Sequence, residues 1–240
     1  MPDFEKRDKA DVQKMFSQTA AHYDTINRAM CFGLDVLWRR ALAKTALADF
    51  RGNAPQVADL ACGSGDVCAE LARRDSSARI LGIDLCPEML EIAQRKIDKS
   101  KLSDRVKLMR ADCENLPLAD ASFDAITISF GFRNFQNRER ALAEIFRVLK
   151  PRGRLAILEV SRAGKLSETA QKIFMAHVVP SIAAAFGGDR QNYKYLANTT
   201  LNYPFPNEIT AMFAAAGFAQ TTVKKFGCGL VAITTGIKNG

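Results

Sequence analysis

The chain has 240 residues, of which 48% are hydrophobic. That is ample for a core, argues against disorder, and fits one α/β domain with appended helices better than two full domains. Thirty-four basic against 26 acidic residues give a net charge of +8, compatible with nucleic acid, anionic lipid, an anionic substrate or plain solubility. The only basic clusters are short, Arg39-Arg40 and the group Arg147, Lys150, Arg152 and Arg154, so no nucleic-acid partner is expected.

Residues 2–9 mix both charges without an apolar core, so no secretory signal is expected there. Val12, Met15 and Phe16, then Ile26, Met30, Leu34, Leu37, Trp38 and Leu42, repeat at helical spacing and predict helix across 11–50. Strands are expected at 57–61, 79–84, 105–110, 124–129 and 154–160, with helices at 65–74, 87–99 and 137–149 between them. Pro87 suits the first turn of its helix, where its missing N–H costs nothing. Lys150-Pro151-Arg152-Gly153 is expected to end a helix and turn the chain into the fifth strand. Such alternation calls for a parallel sheet with right-handed crossovers. Over 164–188 the pattern reads as one long apolar-rich helix with Pro180 inside or breaking it. Asn207 is placed to cap a further helix that stops at Gly217. Residues 221–226 and 230–235 fit a terminal antiparallel pair joined at Gly227-Cys228-Gly229. No apolar run reaches the roughly 18 residues of a membrane span. The six cysteines form no C-x-x-C pair and only His22 and His177 accompany them, so no metal site is expected and the thiols read as reduced ones of a cytosolic protein.

The first strand runs into Asp59-Leu60-Ala61-Cys62-Gly63-Ser64-Gly65, and the second ends in Asp84. Gly63 and Gly65 permit a tight turn and close approach to a ligand. The helix that follows offers free N–H groups to a carboxylate, and Asp84 is placed to accept from ribose hydroxyls. The third small residue of a dinucleotide fingerprint is missing, since that position holds Cys68, and no Lys-Ser or Lys-Thr follows the glycines as in a phosphate loop. Further stations fall at later strand ends. Met89 could lie against an adenine or simply fill core. Asp112 can accept from an adenine amino group while the Cys113 N–H donates to a ring nitrogen, with an ordinary loop acid as the other reading of Asp112. Ser129 can bond a ligand by backbone or hydroxyl, and Arg133 and Asn134 lie where a substrate oxygen would be held, with a structural anchor as the other reading of Arg133.

The Asp-x-x-x-Gly-x-Gly order resembles motif I of class I S-adenosylmethionine methyltransferases, in which a residue like Asp59 helps position the amino-acid end of the cofactor. Phe130-Gly131-Phe132-Arg133-Asn134 with the preceding strand, the 147–161 segment, Tyr23-Asp24-x-x-Asn27, Gly33, Trp38-Arg39-Arg40, Tyr193-Lys194-Tyr195-Leu196 and Phe205-Pro206 are similar to the menaquinone/ubiquinone biosynthesis C-methyltransferases, a likeness spanning nearly the whole chain. It implies an α/β, Rossmann-like fold with a seven-stranded, mostly parallel sheet flanked by helices. The whole of 1–240 would be one domain, with an N-terminal helical cap (1–50) and a helical substrate-side insertion (164–206). It implies S-adenosylmethionine contacts at Ser64, Asp84, Asp112, Cys113 and Ser129. The family commonly has a His-Arg pair where this chain has Asp35-Val36, Leu or Ile at Phe132, and Gly at Arg152; the first two bear on substrate choice.

The activity so implied is methyl transfer to a ring carbon of a polyprenylated quinol. Arg133 would stabilise the phenolate, and the base would be His22, Tyr23, Asp24 or a water, with a surface role as the other reading of His22. The apolar segment 173–183 would wall a pocket for the prenyl tail or serve only as core. A lipid acceptor implies peripheral contact with the inner face of the plasma membrane by an otherwise cytoplasmic protein; a homo-oligomer is left open. The competing readings are a methyltransferase of a soluble metabolite at O, N or C, a nucleic-acid methyltransferase, and a noncatalytic binding module.

Overall fold

The computed structural model describes residues 8–50, 52–161 and 168–240, apart from the side chains of Glu168, Ala170 and Cys228. Three helices lead the chain, α1 (Lys9–Thr19), α2 (Tyr23–Met30) and α3 (Leu34–Ala46). The alternating part then runs β1 (Gln56–Leu60), α4 (Asp66–Arg74), β2 (Arg79–Asp84), α5 (Pro87–Lys99), β3 (Val106–Arg110), β4 (Phe123–Ser129), α6 (Arg138–Val148) and β5 (Leu149–Val160). After α7 (Glu168–Ile173), α8 (Val179–Ala185), α9 (Arg190–Leu201) and α10 (Pro206–Ala215), the chain closes with β6 (Phe218–Phe226) and β7 (Val231–Lys238).

The sheet has seven strands in the order β3-β2-β1-β4-β5-β7-β6, parallel through β5 and antiparallel at β7 and β6. Val57, Ala58 and Leu60 of β1 and Ala125, Ile126 and Ile128 of β4 are fully buried, as expected of central strands covered on both faces. Their alternate side chains feed two cores. Val57 and Ala125 meet α3 and α4 through Leu42, Leu47 and Leu71. Ala58, Ile126 and Ile157 meet α6 and α10 through Leu142, Ile145, Ile209 and Phe213. The chain passes from β1 outward to β3 and then returns across β1 to β4, which makes the β1/β4 junction the topological switch point where ligands collect. A third cluster, with Met15, Ile26, Val179, Ala183, Tyr193 and Leu196, binds the leading helices to α8 and α9.

Several boundaries differ from the sequence expectation. The helical stretch at 11–50 is three helices, interrupted at Ala20–His22 and again before Gly33, which takes φ 75°. The turn expected at 150–153 is a bulge inside β5: Phe123 pairs with Leu149, Ala125 pairs with Arg154, and Arg152 sits at φ 64°. The long helix expected over 164–188 starts partly outside the described residues. Within them it is interrupted by a π-helical turn, Phe174–Val178. Pro180 has no N–H to give the preceding turn, and the Val179 N–H reaches back five residues to the Phe174 carbonyl. Asn207 is not the cap of α10. Phe205 takes that position, Pro206 opens the helix, and the Phe205 N–H donates to Glu208 Oε2 at 2.6 Å.

Candidate active site

Beyond β1 the chain turns through Ala61, Gly63 and Gly65, all at positive φ (51°, 52° and 81°). The Cys62 N–H donates to the Ile83 carbonyl at 3.0 Å and the Gly63 N–H to Asp84 Oδ2 at 2.8 Å, so the tip of β2 holds the turn. A Cβ on Gly65 would lie 2.9 Å from the Ala93 Cβ, which explains glycine where α4 passes α5. At the tip of β4, Phe130 also sits at positive φ (57°), and a Cβ on Gly131 would come within 2.6 Å of the Ala61 Cβ. The two strand tips thus approach closely on strained backbone, a combination that concentrates at ligand sites.

Above these tips lies a cleft of about 770 Å³, its open mouth included. Ala61, Gly63, Asp84, Cys86 and Met89 form one side, Asp112, Cys113 and Glu114 one end, and Ser129, Phe130, Gly131 and Asn134 the floor. Lys9, Val12, Gln13 and Phe16 of α1 roof it together with Tyr23. Both Asp84 oxygens accept backbone N–H groups, from Gly63 at 2.8 Å and Cys86 at 2.9 Å, and each keeps acceptor capacity for a diol. Burial raises the Asp84 carboxyl above its usual range, and those two N–H groups oppose it. Asp112 goes the other way. Burial alone would raise it, but the Lys9 ammonium at 2.7 Å and the Glu114 N–H hold it below the ordinary carboxylate value. Ser129 Oγ and Asn134 Oδ1 are buried with no hydrogen-bond partner. A turn open to close approach, a strand-end acid and an orphaned hydroxyl suit a nucleoside carrying an amino-acid tail.

A second cavity of about 700 Å³ adjoins the first, sharing Tyr23 and Phe130 with it. Its polar groups are Tyr23, Asn27, Cys31, Asp35, Arg39, Arg133, Tyr193 and Thr200, and its apolar walls include Met30, Phe174, Met175, Val179 and Leu196. Arg133 is fixed there by Glu159 at the end of β5. Its Nη1 donates to Glu159 Oε1 at 2.7 Å and to the Phe130 carbonyl at 2.5 Å, and its backbone N–H donates to Glu159 Oε2 at 3.1 Å. Arg133 Nε is buried and unbonded. Burial raises the Tyr23 phenol while the Arg133 and Arg39 guanidiniums oppose the shift, so its hydroxyl is neutral near pH 7.

Of the residues singled out from the sequence, Gly63, Asp84, Met89, Asp112, Cys113, Ser129, Asn134 and Tyr23 line the cleft, and Arg133 lines the adjoining cavity. Asp59, Ser64, Gly65, Asp24 and His22 line neither. Asp59 lies beneath the turn, accepting from Thr127 Oγ1 at 2.7 Å and Cys68 Sγ at 3.4 Å, and burial pushes its pKa up to about 7. Ser64 donates to Asp24 Oδ1 at 2.6 Å, and Lys96 joins both to Asp66. Arg39 and Arg28 extend this network from Asp66 to Asp35. It ties α2 and α3 to the glycine turn. His22 is exposed beside Gly187. Among the described residues no His, Cys, Asp or Glu cluster is arranged to hold a metal.

Sequence reasoning missed Glu159, Arg39 and Lys9 as members of the site, and reached Asp35 only as a departure from the family pattern that bears on substrate choice. Glu159 carried a signal, being an acid that follows the apolar run Leu155–Leu158 at the end of a strand, where ligands gather. Lys9 and Asp35 are ordinary helix residues until α1 and α3 are folded over the sheet.

The sequence matches the ubiE/COQ5 methyltransferase family over residues 4–238. The chain belongs to that family. It is 38% identical to the demethylmenaquinone methyltransferase of Deinococcus radiodurans, across 99% of this chain and 97% of that one. It is also 38% identical to the ubiquinone/menaquinone biosynthesis C-methyltransferase of Geotalea daltonii, across 95% and 96%. Membership makes the chain an S-adenosylmethionine-dependent methyltransferase. Among solved structures, a SAM-dependent methyltransferase from Thermotoga maritima superposes with a TM-score of 0.63 at 19% identity, covering 94% of this chain and 99% of its own. The [4+2]-cyclase SpnF does so with 0.64 at 19%, covering 95% of each. Since a cyclase shares the fold, the reaction has to be argued from the site rather than from the architecture.

Proposed function

We propose that this family member methylates a ring carbon of a polyprenylated quinol, the step that its relatives' names place in menaquinone or ubiquinone biosynthesis. The observation that carries the reading is the junction of the two cavities. A donor cleft built on Asp84, Asp112 and Ser129 meets, at Tyr23 and Phe130, a second space lined by both hydrogen-bonding groups and apolar side chains. An aromatic ring bearing hydroxyls and a greasy tail calls for both kinds of wall.

The bound donor supplies an electrophilic sulfonium methyl, which needs no metal. The protein's part is alignment, since holding two reactants in line accounts for a large share of such rate gains. Ionising a quinol hydroxyl spreads charge onto the ortho carbon, and Arg133, held by Glu159, is the donor for that oxygen. Of the three side chains considered as base, Tyr23 alone borders the cavities; being neutral it serves as a relay or donor, with solvent as the final proton acceptor. Asp84 would take the ribose, Asp112, the Cys113 N–H and Met89 would take the adenine, and Ser129 and the Gly63 turn would hold the amino-acid end. Asp59 and Gly65 act through the shape of the turn, while Ser64 and Asp24 act through the network that seats the leading helices.

We further propose peripheral membrane contact at the mouth of the acceptor cavity. No helix of the described residues is long and apolar enough to cross a membrane. Phe32, Leu37 and Ile173 are nevertheless 76%, 57% and 56% exposed. Phe32 packs on Phe174, a wall of that cavity, at 6.4 Å between ring centroids. Arg40 and Lys44 follow Leu34 and Leu37 along α3 and are exposed, suited to anionic headgroups.

The deciding experiment supplies methyl-labelled S-adenosylmethionine with reduced demethylated quinones, prenylated and tail-less, and locates the label by mass spectrometry. Label on a ring carbon, with the prenylated acceptors strongly preferred, is the expected result. Transfer only to oxygen or nitrogen, or only to tail-less acceptors, would replace the reading with a soluble-metabolite methyltransferase.

A further inference from the structure

Asp35 stands in the first turn of α3, is 1% exposed and faces the acceptor cavity. One of its oxygens, Oδ2, is held by Arg39 one helical turn on. The other, Oδ1, is buried and accepts no hydrogen bond; Arg28 Nε is 3.4 Å away in an ion-pair contact without hydrogen-bond geometry. Buried carboxylate oxygens almost always have a donor, and an unpaired one on a residue that lines a cavity is an acceptor for a ligand hydroxyl. The other charged groups of the cavity, Arg39 and Arg133, are donors only.

This asymmetry separates two forms of the same ring. A hydroquinone oxygen both donates and accepts, so it satisfies Asp35 Oδ1 at one position and a guanidinium at the other. A quinone oxygen only accepts, and set against a buried carboxylate it leaves both groups unpaired, a device by which sites reject close analogues. We infer that Asp35 reads the redox state of the acceptor: its open oxygen accepts a hydrogen bond from a ring hydroxyl, admitting the hydroquinone and turning away the quinone. The inference rests on the quinol reading above and names the residue that enforces it. Selection has a chemical point, because only the hydroxylated ring becomes a carbon nucleophile.

The test measures anaerobic binding of a short-chain demethylated hydroquinone, its mono-methyl ethers and its quinone to wild type and to Asp35→Asn. In the wild type the hydroquinone should bind at least roughly tenfold more tightly than the quinone and than one of the two ethers. Asp35→Asn, whose amide can donate, should lose hydroquinone affinity, gain quinone affinity and cease to distinguish that ether, with S-adenosylmethionine affinity within about twofold of wild type. A folded variant with the wild-type preference would overturn the inference. If the variant does not fold, equal wild-type affinity for hydroquinone, both ethers and quinone overturns it instead. Failure of the quinol reading shows separately, as wild type that binds the sulfonium donor but places no label on any quinol.

Discussion

Arg133 reaches the acceptor cavity as a fixed donor only because Glu159 occupies its other side, a pair 10% and 4% exposed. Deleting the guanidinium outright would strand a buried carboxylate, typically at about 3–5 kcal/mol, so milder substitutions are the informative ones. Arg133→Lys keeps the charge but loses the planar fork. Turnover should fall about 100-fold, a common cost for a lost transition-state donor, while S-adenosylmethionine affinity measured by calorimetry stays within about threefold. A larger loss of donor affinity than of turnover would move Arg133 to the donor side of the site. Asp59 supports a prediction about pH. Unfolded, it ionises near about 3.9; folded, burial holds it at about 7. Between those values the folded state binds the extra proton, so stability from this group is fully present below the lower value and is lost as pH rises to the upper. Asp59→Asn should flatten that slope. By urea denaturation the variant should gain on wild type between pH 5 and pH 8, by something on the order of 2–4 kcal/mol. A constant difference across that range would refute the assignment.

At the scale of elements, the β1–α4 turn and the seating of the leading helices are the sensitive points. Gly65→Ala adds a Cβ at φ 81° and within 2.9 Å of Ala93. The left-handed backbone alone costs about 1–2 kcal/mol, and the clash adds to it. The urea midpoint should drop accordingly, with weakened donor binding since Gly63 belongs to the same turn. Lys96 is the link between Asp24 on α2 and Asp66 at the start of α4, at 2.6 Å from each. Lys96→Met leaves two facing carboxylates without their shared cation. Limited proteolysis should then release the 8–46 segment before the sheet is cut, and added salt should narrow the gap to wild type by screening the repulsion. Simultaneous loss of both parts would show that α2 and α3 do not depend on this link.

For the whole molecule, the proposed membrane contact rests on an apolar rim of exposed side chains from two distant segments, Phe32 and Leu37 at the α2–α3 bend and the start of α3, and Ile173 at the end of α7, with Phe32 packed on the cavity wall Phe174. Replacing Phe32, Leu37 and Ile173 together by serine should reduce flotation with anionic liposomes and raise KM for long-tailed acceptors, with little effect on a tail-less one. Unchanged flotation, or equal effects on both acceptors, would detach the rim from lipid access.

The alternating strands and helices, the glycine turn after β1 and the acids at strand tips were legible in the sequence because each is a local pattern. Period-two and period-3.6 burial, a turn that only glycine relieves and a strand-end carboxylate are all written within a few residues. The likeness over 126–135 and 147–161 located Arg133, and Glu159 lay inside it unrecognised. Misplaced boundaries at 150–153, 174–178 and Asn207 arose where tertiary pairing or a missing proline N–H overrode local propensity. Ser64 and Asp24, 40 residues apart, were assigned to donor and base, yet they bond to each other because folding α2 over the glycine turn presses them together. Likewise, nothing in α3's own sequence distinguishes Asp35 from a solvent-facing helix acid. Its burial, its half-satisfied carboxylate and its place in one cavity with Arg133 exist only when the leading helices and α9 close over the sheet, because a cavity is a property of surfaces brought together.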